Sequence, residues 1–177
     1  LCASRGLGDV YKRQDLVFNA SDVNSKKINF MAKNGRGLIC LTLNKNQANK
    51  LGITFMAPVN QSRNQTAFTI SIEAKKGITT GISAKDRSRT IKVATKKNVL
   101  KNEIVSPGHV FPIISREGGV LVRAGHTEAS VDIARLGNKI PAAVICEIMN
   151  EDGSMAKGDD LLKSVSYTHL TLPTIIT

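Results

Sequence analysis

The sequence predicts an α+β fold in which helices pack on a mixed sheet. Apolar segments of strand length and segments with helical spacing interleave along the chain without a regular βαβ period. Asp152-Gly153 comes shortly after an apolar segment and predicts a hairpin turn, which joins antiparallel strands. Hydrophobic residues make up 41% of the 177 residues, which is enough to build the core of one domain.

Short strands and short helices alternate in the first half of the chain. Ile28 and Met31 have helical spacing and are followed by Gly35, which ends the predicted helix. Asn44 is a favourable N-cap, and Gly52 marks the end of the helix that follows it. The predicted elements are strands at 16–18, 37–43 and 68–72 and helices at 25–34 and 45–51.

In the second half, Ser83 and Asp86 have the spacing of a capping box with a short acidic partner. They open a predicted helix that carries Ile91 and Ala94. Further predicted elements are strands at 110–114, 119–122 and 142–149 and a helix at 128–136 that is stopped by Gly137.

Composition argues against several classes of function. The net charge is +11, but the lysines are scattered, and aromatic residues make up only 4% of the chain, so we expect no nucleic-acid partner. No apolar run is long enough for a membrane span.

The three cysteines are too far apart for metal-ligand spacing and fit a reducing, cytoplasmic setting; they are Cys2, Cys40 and Cys146. A small buried hydrophobe is the expected role of Cys40 and Cys146.

The two ends of the chain differ from the middle. Residues 1–14 and 164–177 show no periodicity that joins the neighbouring elements, and both resemble translated adapter sequence. We therefore expect residues 15–163 to form the native core domain, incomplete at both ends. Ordinary frayed termini are the alternative.

The segment 119–130 is a candidate phosphate and metal site. It places Arg123, His126 and Thr127 on a glycine-containing turn that opens a helix. A helix start presents unpaired N–H groups to an anion, and a neutral imidazole is a ligand for divalent ions. Thr127 as an ordinary helix cap beside a surface histidine fits the same pattern.

Two further side chains are candidates for acid–base chemistry. Glu147 lies in an apolar strand, where a carboxylate is costly to bury unless it is paired or used. Strand alternation that turns Glu147 toward water is the alternative. His109 follows a predicted Pro107-Gly108 turn at the start of a strand and is either a general acid or base or a surface histidine.

Taken together, five motifs resemble one family, 3,4-dihydroxy-2-butanone 4-phosphate synthase of riboflavin biosynthesis. The resemblance runs in order from about Asp15 to about Lys163, which makes it far more specific than any single motif. The motifs are Asn34-Gly-Arg-Gly-Leu-Ile-Cys-Leu41, Gly77-Ile-Thr-Thr-Gly-Ile-Ser83, Pro107-Gly-His-Val-Phe-Pro112, Arg123-Ala-Gly-His-Thr-Glu128 and Ile145-Cys-Glu-Ile-Met-Asn-Glu-Asp-Gly153.

The resemblance implies a lyase that converts D-ribulose 5-phosphate into L-3,4-dihydroxy-2-butanone 4-phosphate and formate. It also implies a Mg2+ or Mn2+ cofactor and a cytoplasmic homodimer. Matching positions imply that His109 and Glu147 are catalytic and that His126 binds the metal. The implied substrate-binding residues are Asp15, Thr80, Arg123, Ala124, Gly125, His126, Thr127 and Glu147.

One departure from the family pattern bears on the metal site. Where the family has an acidic Arg-Glu-Asn-Glu-Gly segment, this chain has Tyr11-Lys-Arg-Gln14. The resemblance places the second metal ligand and a substrate-binding arginine in that segment, and both are absent here. An alternative is therefore a catalytically inactive homologue that binds phosphosugar or pairs with an active subunit.

Overall fold

The computed structural model describes residues 14–167, with the side chains of residues 14–163. The segments 1–14 and 164–177, predicted to be foreign, lie outside this part of the chain except for Gln14 and the backbone of 164–167. In the described part, no helix has the length and apolarity needed to cross a membrane.

Within residues 14–167, five strands and five α-helices form the fold, and three short 3-10 turns connect them. The strands are β1 (Asp15–Asn19), β2 (Cys40–Leu43), β3 (Ile72–Ala74), β4 (Ile104–Ile114) and β5 (Ala142–Glu147). The helices are α1 (Ser25–Phe30), α2 (Lys45–Leu51), α3 (Ala84–Ala94), α4 (His126–Leu136) and α5 (Asp159–Tyr167). A π-helical turn, Met31–Gly35, continues α1 to the predicted glycine.

The strands form one sheet in the order β1-β5-β2-β4-β3. Strands β2 and β4 run parallel, whereas the pairs β1–β5, β2–β5 and β3–β4 are antiparallel. The sheet is therefore mixed, and the predicted α+β class is confirmed.

The two faces of the sheet carry cores of different size. Successive strand residues face opposite sides, and Leu41, Val144 and Ile91 belong to a large core beneath α1 and α3. The opposite face carries a small cluster built around Cys40 and Ile145, and α4 packs there against β5, β1 and β2. This smaller core leaves one end of the second face available for a site.

Local capping signals place several elements as predicted. The Asn44 side chain accepts a hydrogen bond from the Gln47 N–H at 2.8 Å, which confirms it as the N-cap of α2. Gly52 then ends α2 in the left-handed conformation, with φ of 64°. Both signals lie within a few residues of the helix end that they determine.

Three sequence predictions are wrong. The segment 68–72 contributes two isolated bridges, and the strand begins only at Ile72. The segment 119–122 is a 3-10 turn because Gly118 and Gly119 both have positive φ, which no strand accommodates. The Pro107-Gly108 pair lies inside β4, which begins at Ile104 rather than at Val110.

Cys40 and Cys146 are buried within the sheet, as the sequence predicts. Burial above all raises the pKa of both thiols, that of Cys146 to about 12.

Because the thiolate is the nucleophile, iodoacetamide at pH 8 is expected to leave Cys40 and Cys146 unmodified in the folded chain and to label both in denaturant. Peptide mass spectrometry measures this. Labelling of either thiol in the folded chain as fast as in denaturant would contradict its burial.

Candidate functional site

Predicted site residues lie in one row across the end of the sheet. Asp15 pairs with Glu147 in the β1–β5 register. Cys40 pairs with Ile145 of β5 on one side and with Phe111 of β4 on the other, and Glu147 and His109 each lie two residues away from one of these partners. Neighbouring strands are about 4.8 Å apart, so two strands that flank a third are separated by roughly 10 Å. The row is on the sheet face that carries α4.

His109 forms a close pair with a carboxylate from the neighbouring strand. Its Nδ1 atom lies 2.5 Å from Oε1 of Glu73, and the side chain of His109 is 43% exposed whereas that of Glu73 is 16% exposed. Because Glu73 faces Nδ1, the ring is oriented with Nε2 available for proton transfer. The pair has the arrangement of an acid–base group held by an orienting carboxylate.

The loop 77–83 covers this pair. Gly81 has φ of 88°, and a Cβ at this position would overlap Oε1 of Glu73 and lie 2.6 Å from Nδ1 of His109. Only glycine allows the backbone to approach so closely in this conformation. Thr80, the preceding residue, is exposed to solvent beside the pair.

Glu147 occupies the end of β5 and is partly buried. Its Oε2 atom accepts a hydrogen bond from the Leu38 N–H at 2.9 Å. A Cβ on Gly37 would lie 2.6 Å from the same oxygen, so the glycine permits this approach. The Glu147 carboxylate is therefore held in place by the backbone. It is only partly buried, so the structure lies between the two predictions, a buried carboxylate and one that faces water.

His126 begins α4 and contacts the other end of the row. Its Nδ1 atom lies 3.3 Å from Oδ1 of Asp15. A carboxylate on one ring nitrogen fixes the orientation of a histidine whose other nitrogen binds a metal. The arrangement thus suits His126 to hold a divalent ion through Nε2.

The first turn of α4 is suited to an anion. Gly125 is the N-cap and provides no side-chain hydrogen bond, so the helix start depends on other acceptors. The alternative role of Thr127 as the cap is wrong, because Thr127 is already inside the helix and is buried. Ala124 precedes the cap on the exposed surface.

Arg123 is tied into the protein rather than extended toward solvent. Its Nη1 atom forms an ion pair with Oε2 of Glu128 at 2.5 Å, and Nη2 donates to the carbonyl of Asn64 at 3.2 Å. Glu128 is 1% exposed and also accepts from the Arg116 N–H at 2.9 Å. The pair fixes the turn that leads into α4.

The structure brings Asp15 into contact with His126 and into register with Glu147. It places Thr80 next to Gly81, which packs against His109. It also adds two residues that the sequence reasoning missed. Glu73 and Glu128 each hold a predicted site residue. Glu73 lies between two apolar residues, Ile72 and Ala74. A carboxylate among apolar residues is the same sequence signal that identified Glu147. In residues 14–163, His, Cys, Asp and Glu do not gather in any group of three that could bind a metal.

A cavity of about 310 Å³ lies between the end of β3 and α3. It includes none of the predicted site residues, and its lining has a net positive charge. The residues that line it are Lys75, Lys76, Arg89, Val93, Asn102 and Glu103.

Comparison with known proteins gives a consistent result. The sequence matches the family described as 3,4-dihydroxy-2-butanone 4-phosphate synthase over residues 9–176. The enzyme of that name from Neisseria meningitidis serogroup A is 50% identical over 161 residues, which are 91% of this chain and 44% of that protein. The one from Aliivibrio fischeri is 47% identical over 161 residues, which are 91% of this chain and 74% of that protein.

A solved structure of similar fold supports the same grouping. It is 3,4-dihydroxy-2-butanone 4-phosphate synthase in complex with two magnesium ions, 34% identical, with a TM-score of 0.81. The match covers 87% of this chain and 77% of that one. The chain spans less than half the length of the Neisseria relative but about three quarters of this solved structure.

Proposed function

We infer that this chain, which belongs to the 3,4-dihydroxy-2-butanone 4-phosphate synthase family, is a lyase of riboflavin biosynthesis. It converts D-ribulose 5-phosphate into L-3,4-dihydroxy-2-butanone 4-phosphate and formate. The two products together contain all the atoms of the substrate, so the reaction needs no co-substrate. Proton transfers and stabilisation of charge next to a carbonyl are therefore what the site must supply.

The proposal rests above all on His109 and Glu147, which lie on the two strands that flank β2. Strands so placed are roughly 10 Å apart, a spacing that suits a small sugar phosphate between the two side chains. Proton removal beside a carbonyl and proton return at another carbon need two positioned groups. An imidazole and a carboxylate at opposite ends of the row fit that requirement.

Each of the two groups is held by the protein in a way that suits its role. Glu73 faces Nδ1 of His109, so Nε2 is the atom that exchanges a proton with the substrate. The Leu38 N–H binds Oε2 of Glu147, so Oε1 is the oxygen that takes up a proton. His109 and Glu147 remain the proposed catalytic residues.

The substrate phosphate is proposed to bind at the first turn of α4. Backbone N–H groups near Gly125, His126 and Thr127 and the positive end of the helix dipole favour an anion there. Arg123 adds positive charge to this turn, although Glu128 shares its guanidinium. Ala124 belongs to the same turn, and Asp15 and Thr80 complete the proposed set of substrate contacts.

A divalent ion fits one side of this site. The contact between Asp15 and Nδ1 of His126 prepares Nε2 as a ligand, and we propose that His126 holds Mg2+ or Mn2+ there. Mg2+ commonly retains water and takes further oxygens from its substrate. When bound, such an ion polarises the sugar oxygens and stabilises negative charge beside the carbonyl.

We also propose a cytoplasmic homodimer. Apolar side chains are exposed on α4 and on the 3-10 turn Gly119–Leu121, with Leu121 at 94% and Leu136 at 83%. Exposed apolar surface of this kind marks contact with another molecule. Light scattering is expected to give twice the 19.1 kDa mass of one chain.

Replacing His126 with alanine tests the metal assignment. We expect the metal concentration that gives half-maximal formate release to rise by at least about tenfold, because a proposed ligand is lost. Lys85→Ala, an exposed change on α3, is the control and should leave the metal requirement unchanged. An unchanged metal dependence in His126→Ala would refute the assignment.

The formate-release assay also tests the alternative, a catalytically inactive homologue that binds phosphosugar. This alternative rests on Tyr11-Lys-Arg-Gln14 in place of the family's acidic segment. Calorimetry that detects binding of ribulose 5-phosphate, together with no formate release at saturating metal, would favour it over the proposed lyase.

A further inference from the structure

The carboxylate of Asp86 is turned away from the helix that carries it. Half of the predicted capping box is present, because Oγ of Ser83 accepts from the Asp86 N–H at 3.0 Å. The reciprocal bond is replaced by two contacts with the preceding loop. Oδ2 of Asp86 accepts from Oγ1 of Thr79 at 2.7 Å and from the Gly81 N–H at 3.1 Å.

This arrangement makes Asp86 a strong restraint on the loop 77–83. The residue is 2% exposed, and a buried carboxylate is costly unless it is hydrogen-bonded. Hydrogen bonds to an ionised acceptor are stronger than those between neutral groups. The bond from Thr79, above all, holds the pKa of Asp86 below its ordinary value, so the carboxylate is ionised at neutral pH.

The other side of the same loop touches the proposed acid–base group. Gly81 packs against the pair of His109 and Glu73 so closely that a Cβ would overlap the Glu73 carboxylate. The residues that donate to Asp86, Thr79 and Gly81, flank Thr80 on either side. A shift of the loop would therefore move both Thr80 and the backbone that confines the imidazole.

We propose that Asp86 is a positioning residue that acts through Thr79 and Gly81 to hold the loop 77–83 against His109. It touches neither the substrate nor the reacting atoms. The proposal rests on the proposed lyase function, since its consequence for turnover is the placement of the His109 ring. A displacement of about 1 Å in such a group is enough to lower a rate by about 100-fold.

Variants of the two loop contacts test this in the purified full chain. Asp86→Ala is expected to lower kcat by about 10- to 100-fold, with a smaller effect on KM. Thr79→Ala removes one of the two contacts and should lower kcat less, whereas Thr79→Ser keeps the hydroxyl and should retain the wild-type kcat. A kcat within twofold of wild type in Asp86→Ala, or a loss confined to KM, would overturn the proposal.

Asn44→Ala is the control for helix stability. It removes the hydrogen bond to the Gln47 N–H that caps α2, a different helix from the one that carries Asp86. Its unfolding midpoint should fall while kcat stays at the wild-type value. An equal loss of kcat in Asn44→Ala and Asp86→Ala would show a general effect of helix damage and would overturn the positioning role.

A readout without turnover separates this proposal from the proposed function. The ring signals of His109 in NMR spectra, assigned with His109→Gln, should shift in Asp86→Ala and Thr79→Ala but not in Asn44→Ala. If wild type releases no formate, the lyase proposal fails, and these spectra still decide whether Asp86 positions the ring. Unchanged ring signals in Asp86→Ala would overturn the positioning claim by themselves.

Discussion

Replacing Glu147 with glutamine is expected to lower kcat for formate release by about 10²- to 10⁴-fold, the usual contribution of a general acid or base. The amide oxygen of glutamine can still accept the hydrogen bond from the Leu38 N–H, so the end of β5 keeps its geometry. What is lost is a group that can take up a proton. Steady-state assays with ribulose 5-phosphate measure the change.

Glu151→Gln is the matched control for this experiment. Glu151 lies a few residues further along the chain, with a side chain that is 90% exposed and paired with Arg36 on the surface. Its replacement should leave kcat unchanged. A kcat within threefold of wild type in Glu147→Gln, under conditions where the wild type turns over, would remove Glu147 from the catalytic assignment.

Replacing Glu128 with alanine is expected to lower the free energy of unfolding by about 3–5 kcal/mol, as for other broken buried ion pairs. Glu128 is 1% exposed and binds both Arg123 and the Arg116 N–H. Its loss leaves Nη1 of Arg123 and the Arg116 N–H without the acceptor that they bind in the wild type. Urea unfolding, followed by circular dichroism, measures the difference.

Arg135→Ala provides the comparison for a surface pair. Arg135 bonds Asp132 at 3.2 Å with its own side chain 63% exposed, and such pairs contribute about 0–1 kcal/mol. Glu128→Gln keeps an acceptor and should lie between the two. A loss below about 1 kcal/mol in Glu128→Ala would mean that this pair is not what fixes the turn before α4.

Sequence reasoning succeeded where one local signal decides the structure. Asn44 and Gly52 define both ends of α2 because each acts on hydrogen bonds within its own helix turn. The segment 119–122 was wrongly assigned to a strand, although its glycine pair was visible in the sequence. Apolar residues in so short a run fit both a strand and a turn. The positive φ of Gly118 and Gly119 produces the turn, and the hydrogen bond from the Val120 N–H to Asp132 holds it against α4.

Only part of the candidate site could be predicted from the sequence, because the rest depends on contacts between residues that are far apart in the chain. His109, Glu147 and His126 were identified from motifs, but their placement on one face depends on the strand order β1-β5-β2-β4-β3. The contact of Glu73 with His109 joins residues that are 36 positions apart. No periodicity in a single sequence indicates such a pair, because it arises from the pairing of β3 with β4.

The most direct test of the central claim is to incubate the chain with ribulose 5-phosphate and Mg2+ and to follow both products by proton and phosphorus NMR. We expect formate and a four-carbon ketone phosphate to appear in equal amounts, as the atom balance requires, and we expect Glu147→Gln to suppress both. Unchanged ribulose 5-phosphate, or a phosphorylated product formed without formate, would contradict the assignment of this chain as a lyase.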